Sequence, residues 1–208
     1  MWVDASLWSA DLGALRDEIR RFEPWVDSFH VDVSDDHFVG GLLFFPELLA
    51  KLRPATRLPF HVHLMVEHCA ALAAEFTAAG ADWITVQFEC AGAGKALEEI
   101  RDAGRRPGLA LQLETPVERA SELAPLAETL LLLGTPAGVK GRSLDEAATG
   151  RLREAKSLFP KPFLVADGGI RRETVPLLQA AGADAVVPGS LLFGGSQPDE
   201  ISRWLKAL

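Results

Sequence analysis

Cysteine is scarce: Cys69 and Cys90 are the only two in 208 residues. Their spacing makes neither a disulfide framework nor a metal motif, so the expected setting is reducing and cytoplasmic. Positive charge is also in deficit. Lysine and arginine total 21 against 29 acidic residues, a net charge of −8, with no basic run anywhere. Nucleic acid therefore has no electrostatic footprint to bind. Long apolar runs are missing too, the longest being Thr129 to Gly134, far too short to span a bilayer. The opening Met1-Trp-Val-Asp4 shows no basic segment leading into an apolar core, so no signal peptide and no membrane partner are expected. No linker or low-complexity segment interrupts the chain. One folded domain over 1–208 is the expectation.

What is present is a regular alternation. Short β-rich runs stand at Trp2–Leu7, Ser28–Val33, Phe60–Met65, Trp83–Phe88, Gly108–Leu113, Thr129–Leu133, Phe163–Ala166 and Ala185–Val187. Helical runs lie between them, near 10–22, 46–52, 67–79, 95–103, 116–127, 144–158, 171–181 and 198–207. Thr115-Pro-Val-Glu118 and Ser143-Leu-Asp-Glu146 read as capping boxes opening two of these helices. Gly80, Gly104 and Gly182 each follow a helical run, as a left-handed terminator does. Ala-Gly-Ala-Asp recurs at 79–82 and 181–184, each time just before a strand. Eight βα units in series predict an α/β chain folded as a (β/α)8 TIM barrel. The rival open sheet opens on a G-x-G-x-x-G turn, and here the first strand runs into Trp8-Ser9-Ala10-Asp11.

Barrels of this kind carry their chemistry at the carboxyl ends of the strands. Residues two apart on a strand share a face, which pairs His30 with Asp32 and His61 with His63. If those faces point inward, His30, Asp32, His63 and Asp167 converge above the barrel. Two imidazoles and two carboxylates suit a divalent transition metal: Zn²⁺, Mn²⁺, Co²⁺ or Fe²⁺. His61 reads as either a core histidine or a partner that orients a ligand. Glycine turns feeding helix N-termini present free N–H groups to anions. Gly168-Gly169, Gly189-Ser190 and Gly138-Val-Lys140-Gly141-Arg142 are three such turns, the last adding two cations. Together they predict a phosphate site. The five tryptophans read as packing residues.

These residues resemble the ribulose-phosphate 3-epimerase family of pentulose- and hexulose-phosphate epimerases, from about Ala5 to Gly194. The matching strings are Ser6-Leu-Trp-Ser9-Ala-Asp11, His30-Val-Asp32-Val-Ser-Asp35-Asp-His37-Phe-Val39, Val62-His63-Leu-Met65, Asp167-Gly-Gly-Ile170 and Gly189-Ser190 through Gly194. The resemblance implies a ribulose-phosphate-binding barrel that performs a metal-assisted 1,1-proton transfer. It implies that His30, Asp32, His63 and Asp167 bind the metal and that Asp32 and Asp167 act as acid and base on opposite faces of an enediolate. Ser9 and Met65, with His63, would line a sugar-phosphate substrate, and the turn glycines with Ser190 would take its phosphate. The resemblance also implies a homo-oligomer.

Several positions depart from the family pattern. Ser34 and Leu133 stand where methionines are usual, Asp36 replaces a glycine, and Gln87 and Gln112 replace a histidine and an asparagine. Gly40-Gly-Leu-Leu-Phe-Phe45 and Pro136-Ala-Gly-Val-Lys-Gly-Arg142 replace two family loops. The expectation is a rebuilt substrate wall, with Lys140 and Arg142 suiting a more charged anion and Phe44 and Phe45 reshaping the lid. Two alternatives accompany the epimerase reading: a paralogue acting on another phosphorylated sugar, and a non-catalytic barrel that binds metal and sugar phosphate. A lyase of the hexulose-phosphate synthase or orotidylate decarboxylase type is disfavoured. Those resemble one another in an Asp-x-Lys-x-x-Asp string where this chain has His61-Val-His63-Leu-Met65.

Overall fold

A computed structural model describes residues 1–195 and 198–208. Eight parallel strands form the frame: β1 (Trp2–Ser6), β2 (Ser28–Asp35), β4 (Phe60–Met65), β5 (Trp83–Gln87), β6 (Arg106–Leu111), β7 (Thr129–Leu133), β8 (Phe163–Asp167) and β9 (Ala185–Val187). A two-residue β3 (Leu42–Leu43) lies antiparallel on the end of β2. The sheet order β1-β9-β8-β7-β6-β5-β4-β2 is closed by pairing of β1 with β2, which makes a TIM barrel. Helices α1 (Leu15–Phe22), α2 (Pro46–Leu52), α3 (Cys69–Ala79), α4 (Ala93–Asp102), α5 (Ala148–Leu158), α6 (Val175–Ala180), α7 (Ser190–Phe193) and α8 (Pro198–Ala207) complete the described elements, with short 3₁₀ turns between them.

The strands are buried on both faces, as parallel strands under helices must be. Val31, Val33, Val62, Leu64, Ile84 and Val86 join Ile19, Phe22, Leu49 and Phe76 in the larger core, between sheet and helices. A smaller core fills the barrel interior with Ala110, Leu131, Leu133, Val165, Ala185 and Val187. Trp2, Trp83 and Phe163 pack against one another, ring centroids 5.5–6.2 Å apart, at the amino-terminal end of their strands. The other end stays open for polar groups.

The repeated Ala-Gly-Ala-Asp does the same job twice. Gly80 and Gly182 take φ of +101° and +103° at helix ends, a conformation that costs glycine little. The following Asp82 and Asp184 each accept a hydrogen bond at 2.9 Å from a neighbouring strand, at Phe60 N and Leu164 N. Sequence repetition here reflects repeated stitching of helix to strand.

Both capping boxes are corrected. Residues 116–127 form 3₁₀ turns, Val117–Glu122 and Ala124–Leu126, because Pro125 cannot donate the backbone bond that an α-helix needs there. The Thr115 hydroxyl donates to Glu89 Oε1 rather than capping. Ser143 lies in a loop, and α5 begins only after Asp145, whose Oδ1 accepts Ala147 N at 2.8 Å. The cysteines require a correction too. Cys69 opens α3 after β4, Cys90 follows the adjacent β5, and the two are joined in a disulfide with Cα atoms 6.3 Å apart. Spacing in the chain gives no sign of this, since strand adjacency makes the pair. No helix among the described residues is long and apolar enough to cross a membrane.

Candidate active site

The register of β2 against β4 sets the site. His30 lies beside His61 and Asp32 beside His63, so all four point into the barrel. Asp167 ends β8, which is separated from β2 by β9 and β1. His30 Nε2 lies 3.2 Å from Asp32 Oδ1 and 3.7 Å from Asp167 Oδ2. His63 Nδ1 lies 3.5 Å from Asp32 Oδ1 and 3.7 Å from Asp167 Oδ2. Donors about 2.0–2.1 Å from a tetrahedral ion sit roughly 3.3 Å apart, so these spacings need little adjustment. His30 Nε2 and His63 Nδ1 are buried and have no hydrogen-bond partner among the described residues. Orphaned nitrogens of this kind ask for an acceptor of their lone pairs, and a divalent cation meets that need. The buried His/Asp cluster fits a metal.

The other ring nitrogens are held. His30 Nδ1 meets Asp4 Oδ2 at 2.9 Å, and His63 Nε2 meets the Gln87 side-chain amide at 2.9 Å. It is the amide nitrogen of Gln87 that faces His63 Nε2; with Nδ1 as the ligand atom, His63 would carry its proton on Nε2 and the Gln87 amide would turn over to present its oxygen. Ser6 Oγ donates to Asp32 Oδ2 at 3.1 Å, leaving Oδ1 for the cluster. Asp4, Ser6 and Gln87 were not singled out as supports from the sequence. Asp4 was detectable as a lone carboxylate two residues before Ser6 on an otherwise apolar strand.

Electrostatics divide the two carboxylates. Burial would raise Asp32, but the imidazoles of His30 and His63 outweigh it and hold the group well below the ordinary range. Burial and the charge of Asp32 push Asp167 up to about 7. Burial opposes protonation of His30, yet Asp32 and Asp4 raise it well above its usual value. Burial lowers both His61 and His63. One carboxylate is ionised and its neighbour titrates near neutrality, an arrangement suited to an acid and a base working as a pair.

A cavity of about 260 Å³ opens above the cluster. Asp32 and Asp167 line it, together with Ser9, Met65, Gly138, Lys140, Gly141, Gly168, Gly169, Gly189 and Ser190. Of the substrate-lining residues expected from the sequence, all but His63 line this cavity, and His63 lies fully buried beneath it beside His30. Arg142 and Arg171 line the same cavity. Gly168 has φ +92°, and a Cβ there would stand 2.3 Å from Thr135 Oγ1, so the turn tolerates glycine alone. Lys140 crosses the mouth, donates to the Trp8 carbonyl and sits 4.4 Å above the Trp8 ring. Trp8 is thus a cavity residue, whereas Trp2 and Trp83 do pack.

The rebuilt wall is smaller than the sequence departures suggest. Phe44 packs against the core and Phe45 is exposed at the start of α2, and neither lines the cavity. Gln112 also lies outside it, its backbone tied to Glu89 and Arg151. Ser34 donates to the Gly41 carbonyl and shapes the adjoining loop. Val39 of that loop packs under Gly138, where a Cβ would approach to 2.8 Å.

One glycine protects the cluster from below. A Cβ on Gly108 would stand 2.1 Å from Thr85 Oγ1, which bonds His61 Nε2 at 2.7 Å. Gly108→Ala is expected to destabilise the protein by about 1–3 kcal/mol through overpacking. Urea unfolding measures the loss, which should shrink in a Thr85→Ala background, where the 2.1 Å clash is gone and the Cβ of residue 85 at 3.0 Å is the nearest atom left.

The comparisons agree with this geometry. The model of the family described as "Ribulose-phosphate 3 epimerase family" matches residues 2–193. Ribulose-phosphate 3-epimerase of Bacillus subtilis is 33% identical over 201 residues, covering 93% of this chain and 93% of that protein. The Treponema pallidum enzyme of the same name is 35% identical over 200 residues, covering 92% and 90%. Among solved structures, 3-hexulose-6-phosphate synthase from Salmonella typhimurium superposes with a TM-score of 0.78 at 17% identity, covering 100% and 97%, a likeness of fold alone. By sequence along nearly its whole length, and with a buried His/Asp cluster at the carboxyl end of its barrel, this chain is an isomerase of the ribulose-phosphate 3-epimerase family.

Proposed function

We propose that the protein inverts C3 of a ketose phosphate, interconverting D-ribulose 5-phosphate and D-xylulose 5-phosphate, with Asp32 and Asp167 as the two proton-transfer groups. The observation that carries this is the convergence of four donor atoms, 3.2–3.7 Å apart in their His–Asp pairs, at the floor of a cavity ringed by glycine turns. His30, Asp32, His63 and Asp167 would hold the cation, whose positive charge would make the C3 proton more acidic. One carboxylate takes that proton while the other returns one to the far face. Ser6 keeps Asp32 oriented through its Oδ2. Met65 and Leu133 give the reacting carbons an apolar floor that excludes water.

The phosphate would rest on the N–H groups of Gly168–Gly169 and Gly189–Ser190, with Lys140, Arg142 and Arg171 offering charge. Three cations on one cavity in a chain of net charge −8 favour a second reading, a ketose phosphate carrying more negative charge. Lys140→Met is expected to raise KM about tenfold with a smaller change in kcat, as loss of a charge-assisted contact made equally in ground and transition states requires. Steady-state kinetics on D-ribulose 5-phosphate with metal-loaded protein test both points. Turnover supports the epimerase reading. Its absence, with turnover of a more anionic ketose phosphate in a substrate panel, establishes the second.

A further inference from the structure

Beneath the cluster lies a chain of hydrogen bonds that the proton-transfer chemistry does not use. Asp4, His30, His61 and Thr85 are all fully buried. Asp4 Oδ2 receives His30 Nδ1 at 2.9 Å and His61 Nδ1 at 2.6 Å. Asp4 Oδ1 accepts from Ser28 Oγ at 2.6 Å, and Ser28 in turn accepts from Trp2 Nε1 at 2.9 Å. His61 Nε2 lies 2.7 Å from Thr85 Oγ1.

With both rings neutral, as cation binding requires of His30, donor and acceptor accounting leaves one assignment. An ionised carboxylate only accepts, so both histidines present Nδ1–H to Asp4. His61 Nε2 then holds a lone pair, and the Thr85 hydroxyl donates to it. His30 Nε2 holds the other lone pair, and that atom faces Asp32 and Asp167 without a partner. Every donor along this run from Trp2 to Thr85 is satisfied, and the one nitrogen of the run left without a partner, His30 Nε2, is aimed at the cluster.

We propose that Asp4, braced by His61 and Thr85, is a positioning residue that fixes the tautomer and ring angle of His30 and thereby sets the cation affinity of the site. His61 keeps the shared Asp4 oxygen from rotating away, and Thr85 keeps His61 from turning over. The inference rests on reading the His30–Asp32–His63–Asp167 cluster as a metal centre.

The test is Co²⁺ titration of the full-length, chelator-stripped protein, followed by the visible d–d absorption. Asp4→Asn keeps the shape but replaces an acceptor by an amide, and is expected to weaken Co²⁺ binding roughly 10–100-fold and to shift the bands. Thr85→Val, which removes only the outermost donor, should weaken binding less, in the same direction. Asp4→Asn protein with native near-ultraviolet circular dichroism, binding Co²⁺ like wild type with the same bands, overturns the proposal. If Asp4→Asn does not fold, unchanged Co²⁺ binding by Thr85→Val overturns it instead. Wild-type protein that binds no Co²⁺ removes the metal reading and this inference together, which separates that failure from the others.

Discussion

Asp32→Asn and Asp167→Asn are each expected to reduce turnover by about 10³-fold or more while leaving the barrel folded. Loss of one positioned acid or base alone is worth roughly 10²–10⁴-fold. Each carboxylate also supplies one of the four donor atoms of the cluster, so the same change weakens cation binding. The fold should survive because Asp167 ends β8 and Asp32, within β2, faces the cavity, and neither has a role in the two apolar cores. The variants should differ in detail. Asp32→Asn strips His30 Nε2 and His63 Nδ1 of the carboxylate oxygen nearest each, at 3.2 and 3.5 Å, and should lose more affinity for the cation. Asp167 lies 3.7 Å from both nitrogens, so its replacement should spare more of the binding and cost mainly proton transfer. Initial rates with D-ribulose 5-phosphate, beside direct metal quantitation, distinguish these outcomes. Equal activity in either variant contradicts the assignment of roles.

The second large effect is a dependence of metal binding on pH. In the metal-free protein, burial and the Asp32 charge raise Asp167 to about 7, and the Asp32 and Asp4 carboxylates raise His30 despite its burial. Both groups must lose their protons to bind a cation, so binding releases protons and affinity climbs with pH, by more than tenfold per unit below about pH 7. The sign for stability follows from the same shifts. A raised pKa in the folded state means that the folded protein holds a proton the unfolded chain has released. For Asp167 that window runs from its ordinary value of 3.8 up to about 7, and for His30 it begins at 6.5 and extends upward. Through these two groups the metal-free protein loses stability as pH rises, above all beyond pH 6.5, where the lowered His61 and His63 no longer contribute the opposite trend, while a bound cation replaces the missing protons. The gap in Tm between metal-loaded and metal-free protein should therefore widen from about pH 6 to pH 8. A constant or narrowing gap contradicts it.

How much of this was legible in the chain depends on whether neighbours in space are neighbours in pattern. The alternation His30–Asp32 and His61–His63 exposes its face by parity alone, and register does the rest. Asp167 and the glycine turns are found because barrel chemistry gathers at strand ends. Asp4 escapes that logic. Its meaning appears only when closure sets β1 beside β2, with Asp4 opposite Ser28. Cys69 and Cys90 escape for the same reason, being partners across two adjacent βα loops. The capping boxes mislead in the opposite sense. Thr115 and Ser143 have the right spacing, but Pro125 breaks one helix and Asp145 closes the turn before the other. Local patterns compete with tertiary partners, and where a carboxylate such as Glu89 claims the hydroxyl, the partner wins.

In the proposed reaction a proton is removed and returned at one carbon by two carboxylates. Reaction of metal-loaded protein with D-ribulose 5-phosphate in D₂O, followed by mass spectrometry and proton NMR, tests it most directly. The account predicts D-xylulose 5-phosphate carrying a single deuterium at C3, with Asp32→Asn and Asp167→Asn unable to produce it. Metal-loaded wild-type protein that forms product without solvent deuterium, or that neither exchanges nor converts this or any other ketose phosphate, would contradict the account.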